Sequence, residues 1–366
     1  MKIAYMWGGM NRGGAETLLL DMFENAHTAP FPFIGIHRKG GTMQEQFNQT
    51  SPDIFCLRPK KGNFVGYFRK LRSLLKQQQV TVVHTQQFLD CLYARIATVG
   101  TGIKIVQTFH GYDYDANRWS RLMIKASLKW ADLNCFVSHQ QREYYTQRYQ
   151  LHHKDNLRTV YNGIHFEKLS VCEPIPEASI LTSSSLKMAM VGNFVSVRDQ
   201  MFVCRALGLL KDQGVDFDFY FVGKKNDNEP WLYDNCVKWC NDNGLAERVH
   251  FMGGRNDVPY LLKQMDAFVY CSDHDTFGIA VIEAIASGLP TFVNDWPVML
   301  EVTRDGSLAS VYPSGDVDAL AQQLSSFVRE HDLFKQQAKS HAETIRELFS
   351  IQQHQEILHG CYSELL

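Results

Sequence analysis

The feature that most constrains this chain is an alternation that runs twice. Short apolar, β-branched runs are separated by longer segments with helical periodicity. In the first half KIAYMW (2–7), FIGIH (33–37), VTVVH (80–84), IKIVQTF (103–109) and LNCFV (133–137) read as buried strands. Between them GGAETLLLDMFENA, FVGYFRKLRSLLK, FLDCLYARIATV and RWSRLMIKASLKW repeat apolar residues every three or four positions, the pattern of helices with one buried face. Parallel neighbours need a crossover between them, and a helix that crosses over covers one face of the sheet. The alternation therefore predicts parallel sheets flanked by helices.

VCEPIPEASILTSSSLK (171–187) is Pro- and Ser-rich without a period and reads as a linker. After it the pattern restarts. Strands are expected at 187–193, 217–223, 248–253, 266–272 and 289–294, with helices near 199–213, 230–243, 257–264, 278–287 and 316–330, then 333–347 and 351–365. A length of 366 residues suits two domains at ~100–200 residues each. The expected fold is α/β, two Rossmann-like domains, with ligands outside the carboxyl ends of the strands and in the cleft between the domains.

Composition enters through charge. Residues 1–165 hold 21 of the 37 Lys and Arg but 11 of the 39 Asp and Glu, leaving 16 bases and 28 acids for the remainder. A basic first half and an acidic second half are expected to face different partners. Two helices concentrate the positive charge. One face of FVGYFRKLRSLLK carries Arg69, Arg72 and Lys76; RWSRLMIKASLKW stacks Arg118, Arg121, Lys125 and Lys129 beside Trp119, Leu122, Ala126 and Trp130. Such helices either lie on an anionic bilayer or are ordinary surface helices over a core. With a net charge of −2 and no recognised module, nucleic acid is a poor candidate partner.

The nine cysteines lack the paired spacing of a zinc site. Cys236 and Cys240 sit one turn apart without a second pair or a histidine cluster. Free thiols in a reducing cytosol are the expectation. MKIAYMWGGM is too short and glycine-broken for a signal peptide, and no apolar run approaches the ~20 residues of a membrane span.

Two glycine clusters follow strands. WGGMNRGGAE (7–16) has neither the G-x-G-x-x-G order nor the Lys-Ser/Thr of a P-loop, which argues against a dinucleotide or ATP site. It is either a loop whose backbone N–H groups approach an anion closely or a plain strand-to-helix turn. MVGNFVSVRD (190–199) places Arg198 just before a helix, where the dipole disfavours a cation unless an anion is shared between them.

CSDHDTFGIAVIEAIASGLP (271–290) holds Asp275 and Glu283 on either side of a Phe-Gly. Gly278 opens a helix and Gly288 caps it. The first amides of that helix suit a phosphate. Glu283 is the only acid in a helix otherwise made of Ile, Val, Ala, Gly and Ser, where an unpaired carboxylate is costly; the hydroxyl pair of a ribose would satisfy it. Asp275 would then reach the part of the ligand beyond a diphosphate. The alternative is an N-cap-like Asp275 with a structurally satisfied Glu283.

The order of these pieces resembles the family 4 glycosyltransferases, retaining enzymes of the GT-B fold. DHDTFGIAVIEAIASGLPTFV is similar to the family signature, in which two glutamates flank Gly-Phe-Gly. RGGAE (12–16) matches the donor-side glycine loop, TFHG (108–111) the catalytic-histidine segment and VYNGIHFEKL (160–169) the Asn-Gly-hydrophobic-Asp turn. MVGNFVSVRD, FYFVGK (219–224) and VHFMGGRNDVPYLLKQMDAFVYCSD (249–273) continue in family order, so the resemblance spans nearly the whole chain. It implies catalytic roles for His110, Asp275 and Arg198. It implies a donor site of Gly13, Gly14, Gly192, Asn193, Arg198, Met252, Phe277, Gly278, Ile279 and Glu283. His84, ending TVVH, and Asp113 fall on the acceptor side. The chain departs from the family at Asp275, where Glu is usual, at Asn193 (Arg), at Arg198 (Lys) and at His165 (Asp).

The fold so implied is two domains facing across a cleft. Residues 1–170 would bind the acceptor and 187–345 the sugar nucleotide, while a helix over 346–366 would cross back to the first domain. The activity implied is transfer of a sugar, with retention, from a nucleotide-diphosphate sugar to a carbohydrate or lipid-linked acceptor in surface polysaccharide or glycolipid synthesis. In the family's usual picture the leaving diphosphate takes the acceptor proton on the same face. The enzyme would be cytoplasmic, peripheral on the inner face of the membrane, with the nucleotide sugar as co-substrate and neither cofactor nor metal required. The triplets Asp113-Tyr-Asp115, Asp216-Phe-Asp218 and Asp273-His-Asp275 look like the metal motif of the other large glycosyltransferase fold, but 39 acids produce a few by chance. Two alternatives stand beside this reading: a sugar-nucleotide epimerase of the same fold, and a non-catalytic sugar-nucleotide-binding subunit.

Overall fold

The computed structural model of the chain describes residues 1–50, 52–114, 116–170 and 185–366. Most of the expected linker, residues 171–184, and Asp115 of the first acidic triplet lie outside the described residues. Leu186, assigned to the linker from sequence, already begins a strand. The described chain divides into two compact units, Met1–Ile164 with Phe349–Leu366, and His165–Leu348.

The first unit holds β1 (Ile3–Trp7), β2 (Phe33–His37), β3 (Ile54–Cys56), β4 (Val82–Thr85), β5 (Lys104–Phe109), β6 (Leu133–Phe136) and β7 (Leu157–Thr159). They form a parallel sheet in the order β3-β2-β1-β4-β5-β6-β7. Helices α1 (Gly14–Glu24), α2 (Gln44–Asn48), α3 (Phe64–Gln77), α4 (Phe88–Thr98), α5 (Arg118–Trp130) and α6 (His139–Tyr149) connect the strands. The second unit holds β8 (Leu186–Val191), β9 (Phe217–Val222), β10 (Val249–Phe251), β11 (Ala267–Tyr270), β12 (Thr291–Asn294) and β13 (Ser310–Tyr312), in the parallel order β10-β9-β8-β11-β12-β13. Its helices are α7 (Gln200–Asp212), α8 (Pro230–Asp242), α9 (Val258–Lys263), α10 (Ile279–Ala286), α11 (Pro297–Val302) and α12 (Val317–Arg329). Then come α13 (His331–Phe349), which runs to the junction, and α14 (Ile351–Ser363).

Three strands escape the sequence reading: β3, β7 and β13. Each has three residues and lies at a sheet edge. These three are short and mostly half-exposed, so the apolar pattern that marks a longer buried strand is weak in them. The central strands are the opposite case. All five residues of β1 are buried, and Tyr5 meets Phe33 edge-on with ring centroids 5.4 Å apart.

The last helix belongs with the first unit. Ser350 caps α14, accepting from the Gln353 N–H, and Ile351, Leu358 and Tyr362 enter the core beside β1. The Tyr362 hydroxyl lies 3.1 Å from that of Tyr5 and 2.6 Å from His84 Nδ1. Among the described residues no helix is long and apolar enough to cross a membrane.

In both sheets the strand order reverses at one place, between β1 and β4 and between β8 and β11. Helices pass to opposite faces at such a point, leaving a crevice outside the carboxyl ends of the strands. The glycine clusters and the Asp275 turn follow three of these four strands.

Candidate functional site

In the second unit, the loop after β8 and the turn after β11 are joined at the crevice by an antiparallel bridge between Arg198 and Ser272. Arg198 Nε donates to the Tyr270 hydroxyl over 2.9 Å, and that hydroxyl donates to Asp275 Oδ2. A second guanidinium nitrogen lies 3.7 Å from Asp275 Oδ1, and the third donates to the Asn193 carbonyl at 3.5 Å. Burial works against the charge on Arg198, yet Tyr270 and Asp275 hold its pKa above the ordinary value. Burial also raises that of the Tyr270 hydroxyl, so the cluster is a fixed cation, a neutral phenol and a carboxylate. A Cβ on Gly192 would stand 2.7 Å from Arg198 Nε, which accounts for glycine beneath the guanidinium.

The turn then enters α10. Gly278 sits at φ 81°, in the left-handed region, and a Cβ there would stand 2.7 Å from Met299 Cε. Gly278, the N-cap residue of α10, has no side chain with which to cap it. Along the helix Ile279, Ala280, Glu283 and Ser287 are half-buried while Val281, Ile282, Ala284, Ile285 and Ala286 are buried. Glu283 thus shares with Ile279 the one face of α10 that is not sunk in the core. Phe277 is buried, and Trp296 donates from its indole N–H to the Asp275 carbonyl at 3.4 Å.

Other expected donor residues are placed differently. Asn193 turns its side-chain oxygen to the Lys224 N–H, 3.0 Å away, and so ties the β8 loop to the β9 loop. Met252 follows β10 at the sheet edge, two strands from β8. His165 lies 3.3 Å from the Glu167 carboxylate at the start of a short 3-10 turn, Phe166–Leu169. Of the acidic triplets, Asp216 pairs with Arg248 at 2.9 Å and Asp218 with His250 at 2.8 Å, both beside the β9–β10 edge.

In the first unit, Gly13 is the residue before α1 and Gly14 its first residue. His110 directly follows β5 and is half-buried, with Nε2 2.7 Å from Gln86 Oε1. Gln86 follows β4 and donates its backbone N–H to the Met6 carbonyl at 3.0 Å, which sets it at the reversal between β1 and β4. Burial, then the charge of His354, lowers the His110 pKa to about 4, so the ring is neutral near pH 7. The carbonyl of the next residue, Gly111, accepts from Gln141 Nε2 and the Tyr145 hydroxyl, both at 3.0 Å.

Two residues expected on the acceptor side have inward-turned side chains. His84 is 2% exposed, and its ring nitrogens are taken by Tyr362 and by Thr108 Oγ1 at 2.7 Å. It lies inside the unit under α14 because its β4 side chain points to the face that the C-terminal helix covers. Asp113 is also turned inward. Burial opposes its charge, but the Tyr144 and Tyr149 hydroxyls, at 2.6 and 2.5 Å, and Arg148 at 2.9 Å hold its pKa below the ordinary range. Neither side chain presents a free polar edge to an acceptor.

Sequence reasoning missed Tyr270 and Gln86. Each left a faint signal, a polar group at the carboxyl end of a strand (FVYCS and VVHTQQ), where a Rossmann-like sheet meets its ligand.

Residues 12–168 match the family model described as Glycosyltransferase Family 4, and residues 173–345 match Glycosyl transferases group 1. One curated relative is the UDP-Gal:alpha-D-GlcNAc-diphosphoundecaprenol alpha-1,3-galactosyltransferase of Escherichia coli, 26% identical over 81% of this chain and 79% of its own. Another is the N-acetyl-alpha-D-glucosaminyl L-malate synthase of Bacillus anthracis, 23% identical over 76% of this chain and 74% of its own. Among solved structures, Anabaena Alr3699/HepE in complex with UDP superposes over the full length of both chains, with a TM-score of 0.83 at 16% identity.

Proposed function

Because the chain belongs to the family 4 glycosyltransferases and has the GT-B fold, we propose that it moves a sugar, with retention, from a nucleotide-diphosphate sugar to a lipid-linked or carbohydrate acceptor. The second unit holds the donor and the first the acceptor. UDP is the first base to test, since one relative uses UDP-Gal and HepE was solved with UDP. Cell-surface glycan synthesis in the cytoplasm, with peripheral contact between an anionic membrane and the basic first unit, completes the reading. No metal or nucleic acid is required.

The observation that carries the proposal is the Arg198–Tyr270–Asp275 cluster beside the start of α10 at Gly278. Negative charge grows on a diphosphate as the sugar leaves, and fixed positive charge with aligned amides stabilises it without reorganisation. Asp275, a methylene shorter than the usual glutamate, bonds to Tyr270 and holds Arg198 in place. Glu283, on the same face of α10 as Ile279, takes the ribose hydroxyls. His110 serves at the sugar as a neutral ring, which does not repel the positive charge gathering on the sugar carbon. The Gln86 oxygen fixes that ring by accepting from its Nε2–H.

Thermal unfolding with UDP, GDP and ADP, each with and without EDTA, tests the reading. A nucleotide at ~100 times its Kd stabilises by ~2.7 kcal/mol, a shift of about 5–10 °C for a unit of this size. One nucleotide should produce it, and EDTA should not change it. No shift with any of them would refute the donor site, and a shift abolished by EDTA would refute the metal-free reading.

A further inference from the structure

Away from the donor cluster, an open groove of about 530 Å³ runs along the first half of α5 and the end of α6. Arg118, Arg121 and Lys125 form one wall, a single row on α5 at positions i, i+3 and i+7; Arg148 and Tyr149 form the other. This wall is rigid, because the buried Asp113 carboxylate binds both Arg148 and the Tyr149 hydroxyl. Arg118, Arg121 and Lys125 pair with no carboxylate among the described residues, and no described acid lines the groove. Beside the basic row lies an apolar one: Trp119 is 74% exposed and Leu122 51%. The opposite face of α5, with Ile124, Ser127 and Leu128, is buried, and its last carbonyl at Trp130 accepts from Arg95 Nε at 2.8 Å. The helix is held in place with both rows outward.

We propose that this groove seats the phosphate of an anionic phospholipid headgroup, while Trp119 and Leu122 enter the acyl boundary beside it. Three unpaired cations converging on one concavity fit a phosphate, and forked guanidinium groups bind it by paired hydrogen bonds. A freely soluble anion would not need an exposed tryptophan next to its site, whereas a bilayer surface buries one. The proposal deepens the membrane contact in the function proposed above and rests on it. It replaces spread charge with one site. The basic face of α3 is the natural contrast, because there Arg72 is spent on the Ala97 and Val99 carbonyls at 3.1 and 2.7 Å, while Arg69, Lys70 and Lys76 are exposed.

The test is co-sedimentation of the full chain with phosphatidylcholine vesicles, with and without phosphatidylglycerol. Binding should require phosphatidylglycerol. With about fivefold in partition for each basic residue at an anionic surface, Arg118→Ala with Arg121→Ala should cost about 25-fold. Arg118→Lys with Arg121→Lys keeps the charge but loses the forks and should also lose most of the binding. Trp119→Ala should weaken it, and Arg69→Ala with Lys76→Ala should have a much smaller effect. If the lysine pair binds like wild type and the α3 pair costs as much as the α5 pair, the groove is overturned and spread charge stands. If inorganic diphosphate or a single-stranded oligonucleotide strips the protein at equal phosphate concentration, the site takes a soluble anion or nucleic acid and the lipid assignment falls. If wild type ignores phosphatidylglycerol, groove and membrane contact fall together. Nucleotide stabilisation measured on the same preparation reports separately on the donor site.

Discussion

Replacing Tyr270 by Phe removes one oxygen, the atom through which Arg198 and Asp275 share their hydrogen bonds. The ring is fully buried, so Phe fills the same space and leaves no cavity. Two bonds are lost, each with one charged partner, and such bonds contribute about 1.5–3 kcal/mol apiece. The Arg198 and Asp275 side chains keep 21% and 16% of their exposure, so water replaces part of what is lost. A net destabilisation of about 2–3 kcal/mol follows, which lowers the melting midpoint of the second unit by about 5–10 °C. The chemical effect is separate. Arg198 keeps its charge but not its position, so turnover should fall about 10- to 100-fold with a smaller loss of nucleotide affinity. Calorimetry together with donor turnover, by transfer or slow hydrolysis, reads both. A variant that melts and turns over like wild type would refute the claim that the hydroxyl holds Arg198. One that loses stability but not turnover would show that Arg198 does not act on the diphosphate from this position.

Arg198→Ala should depress turnover more than Glu283→Ala, since one residue meets developing charge and the other a ribose whose bonding does not change; equal losses would overturn that division. His110→Ala should nearly abolish transfer while nucleotide-induced stabilisation stays almost intact, and a large affinity loss would make it a binding residue instead. Three imidazoles of the first unit with lowered pKa values predict acid sensitivity. Burial lowers His110 and His354 to about 4 and His84 well below its ordinary value, whereas unfolded histidine titrates near 6.5. Between those values the unfolded chain binds more protons, so stability is full above about pH 6.5. It should fall as pH drops towards 4, by at most about 1.4 kcal/mol per pH unit for each ring. A midpoint flat from pH 7 to 4.5 would show that the rings are open to solvent.

The β1 and β11 strands, both glycine clusters and the start of α10 are all marked within ten residues of sequence, because an apolar run and a glycine just after it are local properties. The short strand β13 was not, since three residues, two of them half-exposed, leave too little pattern to read. His84 and Asp113 looked like acceptor residues because both follow or end strands; their side chains are instead held by Tyr362 and by Tyr144, Tyr149 and Arg148, all from elements later in the chain.

Sequence alone was enough for the doubly repeated parallel fold and for placing ligands at the carboxyl ends of its strands; where each sheet reverses came from the strand order of the structure. Periodicity decides which face is buried, and a parallel sheet admits few orders of strand. Only the tertiary structure decided which polar groups face one another. Tyr5 and Tyr362 touch across 357 positions, and Arg198 reaches Tyr270 across 72. No local pattern encodes such pairs. They follow from strands and helices being stacked side by side, which sets Asp275 against the Tyr270 hydroxyl and beside Arg198.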